Sequence, residues 1–219
     1  MCGRARLASD YSEIKIRLRF DDCTCAELAC FLEHSTDGRH AGRDILCGGE
    51  AHFRAHAVGA GPTLGEGSEG RLFDLNARAG SLASKPAFRD AWKEGRRCLV
   101  VTNGCYEWRK SDKQPFAIGM VDDDLMVMAG LWDEWVSPAG EHVKSCTVIT
   151  TEPNHTVAGL HDRMPVILEE RDWPKWLGEE RATEAELTAL LSPCASERLK
   201  IWPVGKRVGN VRNDSPEYI

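Results

Sequence analysis

RRCLVVTNGCYEWRKSDKQPFAIGMVDDDLMVMAGLW, residues 96–132, decides the fold. It contains three short apolar runs of β type, CLVVT (98–102), PFAIG (115–119) and LMVMAGLW (125–132). SCTVITT (145–151), MPVIL (164–168) and KIWPV (200–204) extend the series. Helical patterns lie around them. Pro86 to Trp92 reads as a short helix, and Asn154 as the cap of a helical turn leading to His161. EERDWPKWL (169–177) and TEAELTALL (183–191) read as two more helices, the second with Thr183 and Glu186 as a capping box. No repeating βαβ spacing connects these elements. The expectation is therefore α+β: a single domain over residues 1–219, built on mixed, mainly antiparallel β-sheets with flanking helices.

Nearer the N-terminus, Asp10 and Glu13 form a second capping box, and Tyr11, Ile14 and Leu18 make the inner face of a helix over 11–20. The same residues alternate at strand period, and helix is the preferred reading. From His34 to about residue 72 glycines crowd in, as in GAGPTLGEGSEG, and neither period survives. That segment reads as atypical: a long loop or a poorly ordered insertion.

The formal net charge of −6 excludes a global attraction to polyanions, so any nucleic acid has to be held by a local basic patch. No apolar run reaches signal-peptide or membrane-span length, which implies a cytoplasmic protein with no membrane partner. In that compartment nine cysteines are reduced, catalytic or metal-binding rather than paired. Cys23, Cys25, Cys30, Cys47, His34, His40, His52 and His56 reproduce no familiar zinc spacing, so neither metal nor cofactor is expected.

Cys2 follows the initiator Met1. Removal of Met1 leaves an α-amine and a thiol on neighbouring carbons, with reference pKa values near 7.7 to 8.0 and 8.5, so both are partly nucleophilic at neutral pH. An aldehyde meeting this aminothiol forms a Schiff base that the thiolate closes to a five-membered thiazolidine. By itself, a Met-Cys start is unspecific. Other segments hold polar residues whose plain readings are equally ordinary: Asn76 as a turn residue, Glu107 as a solvated strand-end carboxylate, His161 as a hydrogen-bonded surface histidine.

Taken in order, MCGR, NARAGS followed by KPAFRDAW, RRCLVVTNGCYEW, TTEPNHTVAGLHDRMPVIL and VGNVRN resemble the SRAP family, the SOS response-associated peptidase proteins. The resemblance implies a protein that senses abasic sites in single-stranded DNA and crosslinks to them. It makes Cys2 the nucleophile, Glu107 the proton shuttle, and Asn76 and His161 the groups that bind and polarise the sugar oxygens. Arg4, Arg78 and Arg163 would hold flanking phosphates, with Thr150 a weaker candidate for the same backbone. A monomer is expected, and the family's name adds a peptidase activity, as self-processing or proteolysis. Residues 34–74 depart from the family, lacking its Asn-x-Ala-Pro and Trp-Gly-x-x-Pro-x-Trp segments, which supply part of the DNA-binding wall. Two readings from other classes therefore stand beside the crosslinker: a single-stranded DNA-binding module without chemistry, and a thiol peptidase.

Overall fold

Cys98 and Val100 face one side of their strand, Leu99 and Val101 the other, and all four are buried. A strand covered on both faces reads as a continuous apolar run, which is why residues 98–102 show no polar alternation. The structure is a computed structural model, and it describes residues 5–6, 46–47, 57–58, 76–136 and 142–210. Within these residues the strands are β1 (Ala5–Arg6), β2 (Leu46–Cys47), β3 (Ala57–Val58), β4 (Asn76–Arg78), β5 (Arg97–Thr102) and β6 (Gly104–Trp108), followed by β7 (Pro115–Met120), β8 (Met126–Val136), β9 (His142–Thr151), β10 (Met164–Pro165) and β11 (Leu199–Pro203). Four short helices accompany them: α1 (Arg89–Lys93), α2 (His155–Ala158), α3 (Trp173–Leu177) and α4 (Glu184–Ala189).

The strands form two sheets. The smaller runs β1-β6-β7-β11, antiparallel throughout. The larger runs β10-β9-β8-β5-β2, with β3 and β4 added in parallel along β9. The α+β expectation of mixed, mainly antiparallel sheets holds. Alternation along the central strands divides the interior in two. Cys98, Val100, Met128, Cys146 and Val148 pack toward Cys105, Ile118 and Met120 of the smaller sheet. On the opposite face Leu99, Val101, Val127, Ala129, Leu131 and Ile149 pack against Leu82, Phe88, Trp92, Trp176, Leu187 and Leu191 from the helical side. The larger sheet is thus the middle layer, and Trp176 pins the helices to it by donating its indole N–H to Cys98 O at 2.9 Å.

Two glycines are required by space. Gly104 opens β6 directly after Asn103, where the chain leaves one sheet for the other, with φ +155°, and a Cβ there would lie 2.4 Å from Ile118 O. At Gly130 a Cβ would lie 2.8 Å from Cys98 Sγ and 3.1 Å from Thr147 O, so β5, β8 and β9 pack closely only without a side chain.

Local predictions and structure agree at most elements. The runs at 98–102, 115–119 and 145–151 lie wholly on strands, and those at 125–132 and 200–204 do so apart from Leu125 and Val204. Asn154 caps α2, its Oδ1 accepting from Val157 N at 3.0 Å, and the capping box of Thr183 and Glu186 is complete. The 164–168 run does something further. Regular pairing covers Met164 and Pro165, after which Val166 N donates to Ile149 O while Ala129 N donates to Val166 O and Leu168 N to Val127 O. The segment therefore wedges between β9 and β8 where those strands diverge. The helix expected over 86–92 begins regularly only at Arg89, after turns through Lys85 and Phe88. The pattern at 169–177 splits into a 3-10 turn (Glu170–Asp172) and α3, because Pro174 in the first turn is pre-set for a new helix start.

Leu46–Cys47 and Ala57–Val58 place two short strands of the atypical segment on β5 and β9. The helix expected over 11–20, most of residues 34–72 and most of the cysteine and histidine cluster lie outside the described residues. Among the described residues no helix is long and apolar enough to cross a membrane.

Candidate functional site

The site grows from the C-terminal end of β9, because three chain segments meet there. β4 brings Asn76 opposite Val148 and Arg78 opposite Thr150, and β10 brings Met164 opposite Thr151 and Pro165 opposite Thr150. Asn76, Arg78, Thr150 and Arg163 therefore share one end of the larger sheet, with β4 and β10 on opposite sides of β9. The turn-residue reading of Asn76 gives way to a strand position.

Thr150 is buried, and its hydroxyl is used twice: it donates to Ala77 O at 3.1 Å and accepts from Arg163 Nη2 at 3.1 Å. The same Nη2 donates to Thr150 O. Arg163 is thus seated by one residue of β9, while its buried Nε has no hydrogen-bond partner among the described residues. Burial depresses the pKa of this guanidinium and the charge of Arg78 depresses it further. Two cations held together at one end of the sheet create a local positive field on a chain of net charge −6. An anion that reaches both guanidiniums relieves their repulsion and gains charge-assisted hydrogen bonds.

His161 is placed by α2 and by the loop after it. Its backbone N–H donates to Val157 O at 3.1 Å, tying it to the helix end, and its side chain is 18% exposed. Nδ1 lies 3.1 Å from Arg163 N and 2.8 Å from Asp162 Oδ1. Asp162 Oδ2 in turn lies 3.0 Å from Lys110 Nζ. That ion pair joins the loop of His161 to the end of β6, on the other sheet.

Glu107 stands on β6 opposite Phe116. The solvated strand-end reading fails here, because the residue is 7% exposed, and Glu107 Oε1 accepts from Trp108 N at 3.2 Å. A buried carboxylate on a rigid strand is suited to holding and releasing a proton in a fixed direction. Beside it, β1 pairs Ala5 with Cys105 and Arg6 with Gly104, entering the sheet from the Glu107 end of β6. Cys2 and Arg4 lie outside the described residues. Lys110 was not singled out from the sequence. Its signal is its position three residues after Glu107, and its partner lies in another segment, so no motif spacing links the two.

The family model described as SOS response associated peptidase (SRAP) matches residues 1–211. The chain belongs to the SRAP family. Within it, YoqW of Bacillus subtilis, named an abasic site processing protein, is 36% identical over 148 residues, covering 66% of each chain. HMCES of Xenopus tropicalis, with the same descriptive name, is 33% identical over 163 residues, covering 65% of this chain and 48% of that one. This SRAP chain thus spans about two thirds of the Bacillus protein it matches and about half of the amphibian one. A crystal structure of a Bordetella bronchiseptica protein superposes with a TM-score of 0.71 over 92% of this chain and 98% of that one at 21% identity, which shows the shared fold.

Proposed function

We propose that this protein senses abasic sites in single-stranded DNA and links to them covalently through Cys2 once Met1 has been removed. The observation that supports it most is the meeting of segments far apart in sequence: the Arg78 and Arg163 pair, Asn76 and His161 at one sheet end, tied through Lys110 and Asp162 to the strand of buried Glu107. The family match running through residues 1–211 includes Cys2, and relatives carry the name abasic site processing protein.

The chemistry balances without an oxidant or a cofactor. The ring-opened sugar presents an aldehyde, and the α-amine of Cys2 adds to its carbon to give a carbinolamine. Loss of water leaves an imine, and the thiolate then adds to the imine carbon, closing the thiazolidine; overall one water is released. Cys2 lies three residues before Ala5, a reach of at most about 11 Å, and β1 enters from the Glu107 end. Glu107 would deliver and recover the protons of imine formation, while Asn76 and His161 would bind and polarise the sugar oxygens. An abasic nucleotide lacks a base to unstack, so most of the cost of flipping is absent. Arg4, Arg78 and Arg163 would hold the phosphates on either side, with Thr150 contributing by seating Arg163. A thiol that must stay reduced fits action in the cytoplasm, and we take the working unit to be a monomer.

Incubating the protein with a single-stranded oligonucleotide carrying one abasic site, beside the same oligonucleotide intact, tests the proposal. A slow-migrating adduct on a denaturing gel is expected with the abasic strand alone. Adducts with neither strand, or equally with both, would contradict it. For the phosphate contacts, Arg163→Gln should weaken binding evenly across sequences and flatten the plot of log affinity against log salt by about 0.7, one single-strand phosphate's worth. An unchanged slope would mean that Arg163 only braces Thr150.

A further inference from the structure

We propose that the cavity between α1, α4 and the start of β5 is a second binding site, for a small phosphate monoester that carries hydroxyl groups, with its phosphate on Arg97 and Lys93. This site is separate from the DNA site proposed above and does not depend on it.

The cavity has a volume of about 630 Å³, within the range of small-molecule sites. Trp92 and Leu187 supply an apolar wall, and most of the remaining lining is charged. It lies on the face of the larger sheet opposite to Arg78 and Thr150. Arg97 shares its side of β5 with Leu99 and Val101, which pack into the core on the helical side. Arg78 instead follows Ala77, and Thr150 follows Ile149, both members of that same core, so these two turn the other way. Along the sheet, Arg97 is opposite Leu131, and Leu131 is opposite Thr147, three residues before Thr150. The sheet itself therefore stands between the two sites.

Arg97 is held so that its fork faces the cavity. Its Nε donates to Trp176 O, and the guanidinium lies 5.9 Å from the centre of the Trp176 ring. Gly95 and Gly178, both at positive φ, make room for it: a Cβ at Gly95 would stand 3.3 Å from Nη1, and one at Gly178 3.5 Å from Nη2. Neither Nη has a hydrogen-bond or ion-pair partner among the described residues, and burial depresses the pKa of the group. Lys93, exposed on the same face of α1 as Arg89, has no ion pair among them either. The other charges of the lining are engaged: Arg89 Nε lies 3.2 Å from Asp90 Oδ1, and Glu184 Oε1 accepts from the indole N–H of Trp92 at 3.3 Å. Two cations are thus left without a counter-charge. A phosphate dianion supplies paired acceptors for the planar fork and a charge for the ammonium. The lone pairs remaining on Asp90 and Glu184 repel a second anion and accept from hydroxyl groups, which sets the class of ligand.

Calorimetric titration of the full chain with AMP, adenosine and inorganic phosphate tests the site. The indole N–H resonance of Trp92, assigned with Trp92→Phe, reports where each one binds. AMP should bind and shift that resonance. Its affinity should exceed by at least about tenfold that of adenosine, which lacks the phosphate, and that of free phosphate, which lacks the hydroxyl groups. Lys93→Met, at an exposed position, should weaken AMP by about tenfold, and Arg97→Gln by more. Arg163→Gln, on the opposite face of the sheet, should change neither the affinity nor the Trp92 shift. Should Arg97→Gln fail to fold for want of its contact with Trp176, Lys93→Met decides the matter alone. No binding at millimolar AMP would overturn the proposal. So would AMP binding that leaves Trp92 unmoved, that Arg163→Gln abolishes, that Lys93→Met does not weaken, or that free phosphate or adenosine equals. Crosslinking by Lys93→Met should match the parent rate, so failure of either reading leaves the other standing.

Discussion

Cys2→Ala is expected to remove the denaturation-resistant adduct completely. The variant keeps a small second residue, so removal of Met1 proceeds and a terminal amine remains. That amine still condenses with the aldehyde, but the imine it forms is hydrolysed during sample preparation because no thiolate closes on its carbon. Borohydride added during the reaction should therefore trap an adduct with Cys2→Ala where none survives without it. Cys2→Ser should behave in the same way, since a hydroxyl is a far poorer nucleophile than a thiol of pKa near 8.5 at neutral pH. A full yield of stable adduct from either variant would show that another residue carries the reaction. The eight internal cysteines do not substitute, because an internal cysteine has no free α-amine.

The second large effect is expected at Glu107. Glu107→Gln preserves the shape of the side chain and the acceptor for Trp108 N, so β6 should remain intact. Without an ionisable group at that position, proton transfer during imine formation falls to water, and the single-turnover rate should drop by about 10²- to 10⁴-fold. Reversal of the adduct passes through the same imine, and microscopic reversibility requires it to slow as well. A loss of less than about threefold, with the melting transition unchanged, would reduce Glu107 to a structural carboxylate.

Much of the fold was legible because the central strands are covered on both faces. Residues 98–102 and 126–129 are nearly all apolar, and such runs bounded by polar stretches read as strands without any knowledge of their partners. The pairing itself was not legible. That β6 lies between β1 and β7, and that 164–168 wedges between β8 and β9, are long-range choices made by packing. Helix starts set by local chemistry, at Asn154 and at Thr183, were read correctly because a side-chain cap is a short-range interaction.

The candidate site was legible by residue type but not by environment. Asn76, Glu107, His161 and Arg163 stood out as polar residues in recognisable segments, while their ordinary readings missed how they are held. Glu107 is buried although it stands one residue from the end of β6, so its environment is set by packing rather than by its neighbours in sequence. The consumption of the Thr150 hydroxyl by Ala77 O and Arg163 depends on β4 and the 163–165 segment meeting at one β9 residue. The position of Lys110 three residues after Glu107 was too weak a signal to single it out, since its meaning comes from Asp162 in a distant segment. These are tertiary facts, and no spacing rule within one segment contains them.

Intact mass spectrometry of the adduct tests the central claim most directly. The protein is incubated with the abasic oligonucleotide, the adduct is isolated under denaturing conditions, and its mass is compared with those of its parts. The account predicts the chain without Met1 plus the oligonucleotide less one water, with digestion placing the link on Cys2 and with no mass gained on borohydride treatment of the finished adduct. An adduct that retains Met1, or that maps to any other residue, would contradict it.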